Sequence, residues 1–304
     1  MPTVDPVLET RDLTKHYGAA IGLEGLELRV DGGEVLGFLG PNGAGKTTTI
    51  RLLLDLIRPT RGQARVCGGS PRDPAVRSRI GYLPGELGLD LRLTAAKLLA
   101  FLARLQRPSA SAQRRGELCE RLRLSAADLR RSLRDCSRGT KQKVGLVAAF
   151  QHDPDLLILD EPTSGLDPLV REAVFDLLRE AQAAGRTVFH SSHVLSEVDR
   201  TCSRVAVLRA GRLVQVSSVA ALRRSLHRTM VVQFRGPAPL MELAAIGARV
   251  VETTPRGVVL HVGSDLDPLL RLLARHSIAD LVFPEPELDQ AFRQIYSADP
   301  EVSP

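Results

Sequence analysis

Leu36-Gly37-Phe38-Leu39-Gly40-Pro41-Asn42-Gly43-Ala44-Gly45-Lys46-Thr47-Thr48-Thr49-Ile50 is the stretch on which the reading of this chain turns. Gly40 to Thr47 matches G-x-x-x-x-G-K-[ST], preceded by an apolar run fit for a strand and followed by helix-compatible sequence. Glycines at this spacing let successive backbone N–H groups turn toward phosphates, and a helix N-terminus adds positive potential. Lys46 then reaches the β- and γ-phosphates, and the Thr47 hydroxyl ligates Mg²⁺. The candidate nucleotide contacts are therefore Gly40, Pro41, Asn42, Gly43, Ala44, Gly45, Lys46, Thr47 and Thr48.

Working outward, Leu26 to Val30, the turn Asp31-Gly32-Gly33 and Glu34 to Leu39 read as a hairpin whose second strand enters the glycine-rich loop. Lys46 to Arg58 is a helix with Ile50, Leu53, Leu54 and Ile57 on one face, stopped by Pro59. Farther on, Leu156 to Leu159, Thr187 to Phe189 and Val205 to Leu208 are short apolar runs separated by helical stretches such as Val170 to Ala184, the pattern of buried parallel strands.

The first of those runs ends in two adjacent acids, Asp160 and Glu161. Neighbours near a strand end point differently, so Asp160 is placed to face Mg²⁺ while Glu161 polarises an attacking water as general base. A charged strand end meeting solvent is the plainer reading of the same pair. His193, past the end of another strand, lies on the edge where open α/β sheets bind ligands and is placed to contact a γ-phosphate. His190 makes an H-x-x-H pair with it, but no further ligands are nearby in sequence, so His190 reads as a strand residue.

With 304 residues, 43% hydrophobic and 25% charged, the chain has room for one large domain and a small one. No apolar run is long enough to span a membrane, and MPTVDPVLETRDL lacks both a basic n-region and an apolar h-region, so a cytoplasmic location is expected. Cys67, Cys119, Cys136 and Cys202 show neither C-x-x-C nor zinc-finger spacing, which argues against disulfide and metal frameworks. The net charge of +6 rests on arginine, since only Lys15, Lys46, Lys97, Lys141 and Lys143 are lysines. With no Trp and only three Tyr, stacking platforms for single-stranded bases are missing, and nucleic acid is not an expected partner.

Thr94 to Arg134 turns to Leu, Ala and Arg at helical spacing, broken at Pro108, and reads as a mostly helical insert. Its arginines suit either an anionic lipid face or an ordinary solvated surface. After about Leu222 the order MVVQF, PLMELAAIG, ARVVE, GVVLHV, DPLLRLLARH, DLVF and PELDQAFRQIYS reads β-α-β-β-α-β-α, a small ferredoxin-like α+β domain. The boundaries expected are therefore 1–222, with the helical part at about 86–137, and 223–304.

LTKHYG, GPNGAGKTT, CSRGTKQK, LLILDEP, SGLD and SSH occur in the order found in ABC transporter nucleotide-binding domains, and the chain resembles that family over roughly residues 7 to 220. The resemblance implies a P-loop NTPase (RecA-like) α/β core with an antiparallel β subdomain and a helical subdomain. It also implies that Tyr17 stacks on adenine, that Ser137 to Lys141 is the signature motif, that Asp167 belongs to the D-loop and that His193 is the switch histidine. In this family the signature of one subunit, here Ser137 and Gly139, covers the ATP held by another, so two head-to-tail copies would enclose two nucleotides. The tail is similar to that of ATPase subunits of type-2 ABC exporters, which implies a separate transmembrane permease and a place on the inner face of the cell membrane.

Two positions depart from the pattern. The glutamine expected after IGYLP is Gly85, with Glu86 or a water as the candidate substitute, and the signature reads SRGTK. Arg138, Lys141 and Lys143 crowd a helix first turn, where the dipole disfavours positive charge until a phosphate arrives. A solvated basic turn is the bland alternative. Apolar Leu83, Leu87, Leu89 and Leu91 mark a candidate docking loop for a permease helix. Two other classes stay open: a soluble ABC ATPase of translation or nucleic-acid maintenance, against which stand a single P-loop and no sustained heptads, and a non-catalytic ATP-sensing regulator. A GTPase is excluded more firmly, because Asn42 is the only asparagine and N-K-x-D cannot be built.

Overall fold

Alternating and continuous apolar strands sort into different sheets in this chain. The computed structural model describes residues 6–86, 88, 91–105, 112–225, 228–263 and 265–283. In chain order its elements begin β1 (Leu8–Tyr17), β2 (Ala20–Val30), β3 (Val35–Leu39), α1 (Lys46–Leu53), β4 (Arg61–Val66), α2 (Pro74–Arg77) and β5 (Ile80–Leu83). Helices α3 (Ala95–Leu105), α4 (Ala112–Arg121), α5 (Ala126–Arg130) and α6 (Arg138–Phe150) follow. Then come β6 (Leu156–Asp160), α7 (Pro168–Ala183), β7 (Thr187–Ser192), α8 (Leu195–Thr201), β8 (Arg204–Arg209), β9 (Arg212–Ser218) and α9 (Val219–Ser225). The last are β10 (Arg228–Phe234), α10 (Leu240–Ala245), β11 (Arg249–Thr253), β12 (Gly257–Val262), α11 (Asp267–Leu273) and β13 (Ile278–Val282).

β3, β6 and β7, buried at every residue, lie inside a six-stranded sheet of order β5-β6-β7-β3-β8-β9. All its pairings are parallel except that of β8 with the edge strand β9. Helices cover both faces of such a sheet, so its strands read as unbroken apolar runs. β2 alternates instead, and it sits in a separate antiparallel sheet of order β2-β1-β4.

That division corrects the hairpin expected from Leu26 to Leu39. β2 pairs with β1 and β3 with β7 and β8, so the Asp31-Gly32-Gly33 turn carries the chain from one sheet into the other. The signal was in the burial period: β2 needs one apolar face and β3 needs two. The first helix is also shorter than expected, ending at Leu53. Asp55 turns left-handed at φ 55°, and the Leu56 N–H donates to the Arg51 carbonyl at 2.8 Å, closing the last turn five residues before Arg58.

One buried cluster joins α3, α4, α6 and α7 to one face of the large sheet through Leu99, Leu118, Val147, Leu159 and Val174. A second joins the antiparallel sheet and α1 to the other face through Leu23, Ile50, Phe38 and Phe189, the last two with ring centroids 5.0 Å apart. Leu83 is fully buried in the first cluster, so it is a core residue and not part of a docking loop. Leu91 is 44% exposed, while Leu87 and Leu89 lie outside the described residues.

The chain divides into two units, Met1–Val219 and Ala220–Pro304. In the second, four antiparallel strands run in the order β11-β12-β10-β13, the 2-3-1-4 arrangement of a ferredoxin-like β-α-β-β-α-β unit. Met230, Val232, Leu243, Leu260 and Leu272 form its own core. The helix expected in PELDQAFRQIYS and the break at Pro108 lie outside the described residues. No helix among the described residues is long and apolar enough to cross a membrane.

Candidate functional site

The glycine-rich loop joins β3, a central strand, to α1 at the carboxyl edge of the parallel strands, where open α/β sheets bind ligands. Gly45 is the N-cap of α1 at φ 104°, a conformation denied to residues with a β-carbon, and it frees the first N–H groups of the helix to face outward. Lys46 is 6% exposed and folds back on the loop, donating to the Gly40 carbonyl at 2.6 Å and the Pro41 carbonyl at 3.1 Å. Burial lowers its pKa, and the nearby Glu161 and Asp160 carboxylates oppose that shift and favour the ammonium.

β6 delivers the acids to the same edge. Asp160 is 2% exposed and accepts from Thr47 Oγ1 at 2.9 Å through Oδ2 and from Ser191 Oγ at 2.5 Å through Oδ1. Glu161 turns left-handed at φ 50°, which aims its carboxylate away from that of Asp160. Its N–H is held by the Ser191 carbonyl at 3.3 Å and Ser191 Oγ at 3.1 Å, and its Oε1 lies 3.0 Å from His193 Nδ1. Asp160 is thus buried rather than meeting solvent, while Glu161 pairs with His193 at a partly exposed edge.

A cleft of about 690 Å³ opens over these groups, within the range of small-molecule sites. Of the residues expected from sequence, Asn42, Gly43, Gly45, Lys46, Thr47, Thr48, Asp160 and Glu161 line it. Tyr17 is 48% exposed and leans on Gly22 in the cleft wall, so closely that a β-carbon on Gly22 would stand 2.7 Å from its ring. Ser137 caps α6 by accepting from the Thr140 N–H at 3.1 Å, and Asp167 caps α7 by accepting from the Val170 N–H at 3.0 Å. Neither Ser137, Gly139 nor Asp167 lines this cleft.

Sequence reasoning missed Arg51 and Tyr82 as lining residues, and it placed Arg138 only in a basic helix turn awaiting a phosphate, not in this cleft. Arg51 stands four residues after Thr47 on α1, a spacing that puts both on one helix face, and Tyr82 lies near the carboxyl end of β5, so both were findable. Arg138 was not, because only the fold returns α6 to the end of β6. At Gly85 the chain passes close to the acid: a β-carbon there would stand 3.0 Å from Asp160 Oδ2, so a side chain requires the carboxylate to give by a few tenths of an ångström.

Thr47 and Asp160 offer hard oxygen ligands side by side. Among the described residues no group of three or more His, Cys, Asp and Glu gathers elsewhere for a metal ion. The pair suits a cation that completes its shell with phosphate oxygens and water. His190 faces inward: it is 2% exposed, its Nε2 lies 3.2 Å from Thr201 Oγ1 and 3.0 Å from Cys202 Sγ, and burial pushes its pKa down to about 4.

Residues 23–164 match the family model described as ABC transporter. The Nod factor export ATP-binding protein I of Paraburkholderia xenovorans is 38% identical over 241 residues, 78% of this chain and 79% of that one. The daunorubicin/doxorubicin resistance ATP-binding protein of Streptomyces peucetius is 39% identical over 253 residues, 80% of this chain and 76% of that one.

The chain belongs to the ABC transporter ATP-binding proteins.

A solved structure of an ATP-binding subunit of an ABC transporter superposes with a TM-score of 0.67 at 33% identity, over 72% of this chain and 92% of that one. This ABC ATPase thus binds and hydrolyses ATP, and the readings as a translation factor or a silent sensor fall away. The carboxyl edge of its parallel sheet carries a glycine-rich cradle, a hydroxyl-carboxylate pair and a second carboxylate in one cleft, with His193 Nδ1 3.0 Å from that second carboxylate.

Proposed function

We propose that this ATPase is the motor subunit of an ABC exporter, working with a separate transmembrane permease at the inner face of the cell membrane. The observation that carries the hydrolytic half is the turn at Glu161, which sets one carboxylate on Thr47 and the next on His193. The exporter half rests on relatives whose names describe Nod factor export and drug resistance.

In this reading Lys46 and the loop N–H groups hold the triphosphate, and Tyr17 stacks on the adenine. Thr47 and Asp160 hold Mg²⁺, which supplies neutralisation of the charge that develops on the phosphates. Glu161 takes a proton from the attacking water, and His193 orients Glu161 and reaches toward the γ-phosphate. Ser137 and Gly139 of a second copy close over the nucleotide, with Asp167 between the sites, so two head-to-tail copies enclose two nucleotides. Residues 1–222 carry this chemistry, and 223–304 form an accessory domain.

Turnover of ATP by the wild type and by Glu161→Gln tests the assignment. The variant should bind ATP as the wild type does and turn it over about a hundredfold or more slowly. Equal rates would remove Glu161 from the mechanism.

A further inference from the structure

A left-handed backbone at a residue with a β-carbon is strained and persists only where neighbours hold it. Glu161, at φ 50°, is such a residue at the end of β6. Ser191 holds its N–H from the β7 side, as described above. On the carbonyl side one side chain does the equivalent. Gln142 Nε2 donates to the Glu161 carbonyl at 3.1 Å and to the Pro162 carbonyl at 3.1 Å. Gln142 is 4% exposed, and two carbonyl acceptors admit only the amino end of an amide, so its orientation is fixed.

The rest of the first turns of α6 fit the same segment. Arg138 Nη2 donates to Ser164 Oγ at 3.2 Å, and Lys143 Nζ lies 3.8 Å from Asp167 Oδ2. Gly139 sits so close that a β-carbon there would stand 2.8 Å from the Gly165 carbonyl. From Val144 to Phe150 every residue of α6 is buried, so the helix presents these side chains from a fixed body.

We propose that Gln142 is a positioning residue for Glu161: the amide on α6 holds the left-handed turn in which Glu161 stands, and thereby aims its carboxylate at the reacting water. The proposal rests on Glu161 as the base. It makes the signature end of α6 and the hydrolytic carboxylate of one chain a single mechanical unit, so that whatever shifts the Ser137–Gly139 turn is felt at Glu161.

Gln142→Met keeps the volume and removes the donor. Its kcat for ATP should fall about tenfold or more while its affinity for ATP stays within about twofold. In the Glu161→Gln background the same substitution should change the residual single-turnover rate by less than about twofold, because two residues acting through one step are not additive. Gln142→Glu adds a readout that packing alone does not move. Its carboxyl regains an O–H donor when protonated, so its rate relative to wild type should rise as pH is lowered from about 8 to about 6.

A wild-type kcat for Gln142→Met, or an equal fractional loss in both backgrounds, overturns the proposal. So does a loss of ATP affinity that matches the loss of rate. Where Gln142→Met does not fold, the pH ratio of Gln142→Glu decides, and a flat ratio overturns it. A Glu161→Gln protein with wild-type turnover would instead refute the base assignment itself, leaving the contacts of Gln142 without this role.

Discussion

Gly85 shows how one missing side chain shapes the site. The resemblance puts a glutamine there, yet a β-carbon at this position would stand 3.0 Å from Asp160 Oδ2, tighter than most real contacts. Asp160 cannot yield easily, because Thr47 and Ser191 hold its two oxygens. Gly85→Gln should therefore displace the acid and lower the ATPase rate about tenfold, since small misplacements of reacting groups carry large penalties. It should also raise the Mg²⁺ concentration needed for half-maximal rate. Gly88→Ala, at a position with nothing within 4 Å of the added carbon, should leave both unchanged. A Gly85→Gln enzyme at least as fast as wild type would show that the acid has room to move. Residues such as Lys46, Thr47, Asp160 and Glu161 were legible because the chemistry ties each to a motif with fixed spacing. Arg138 and Gln142 were not, because their partners at 161–164 come close only when α6 folds back.

At the level of elements, strand β7 carries a titratable group into the core. Burial moves His190 from its ordinary value near 6.5 to about 4, so the folded protein keeps the ring neutral while the unfolded chain takes up a proton first. The contribution is fully present above about pH 6.5 and is lost as pH falls toward 4. Between about pH 7.5 and about pH 5 the wild type should lose about 2 kcal/mol more stability in urea than His190→Gln does. An identical pH dependence in the two proteins would show that the ring is not held neutral. The buried parallel strands and most helices were legible because apolar runs and helical spacing are local signals. The pairing of β2 was not: a glycine turn between two strands predicts a hairpin, and only the different burial periods of β2 and β3 show that they serve different sheets.

For the whole molecule, three buried clusters divide between two units. The clusters around Leu159 and Phe38 lie within Met1–Val219, and the cluster around Val232 lies within Ala220–Pro304. A chain ending at Ser225 should then fold and retain most of its ATP turnover, measured per mole of folded protein; complete loss would tie the C-terminal unit to catalysis. The ferredoxin-like order was readable from the alternation of short strands and helices after Leu222, whereas nothing in that stretch names a ligand or a partner. The measurement that bears most directly on the whole account is equilibrium binding of ATP with Mg²⁺ to the wild type and to Lys46→Ala. Lys46 touches the loop carbonyls and faces both acids, so the account predicts saturable binding to the wild type and none to the variant at the same concentrations. Equal binding to both would contradict it.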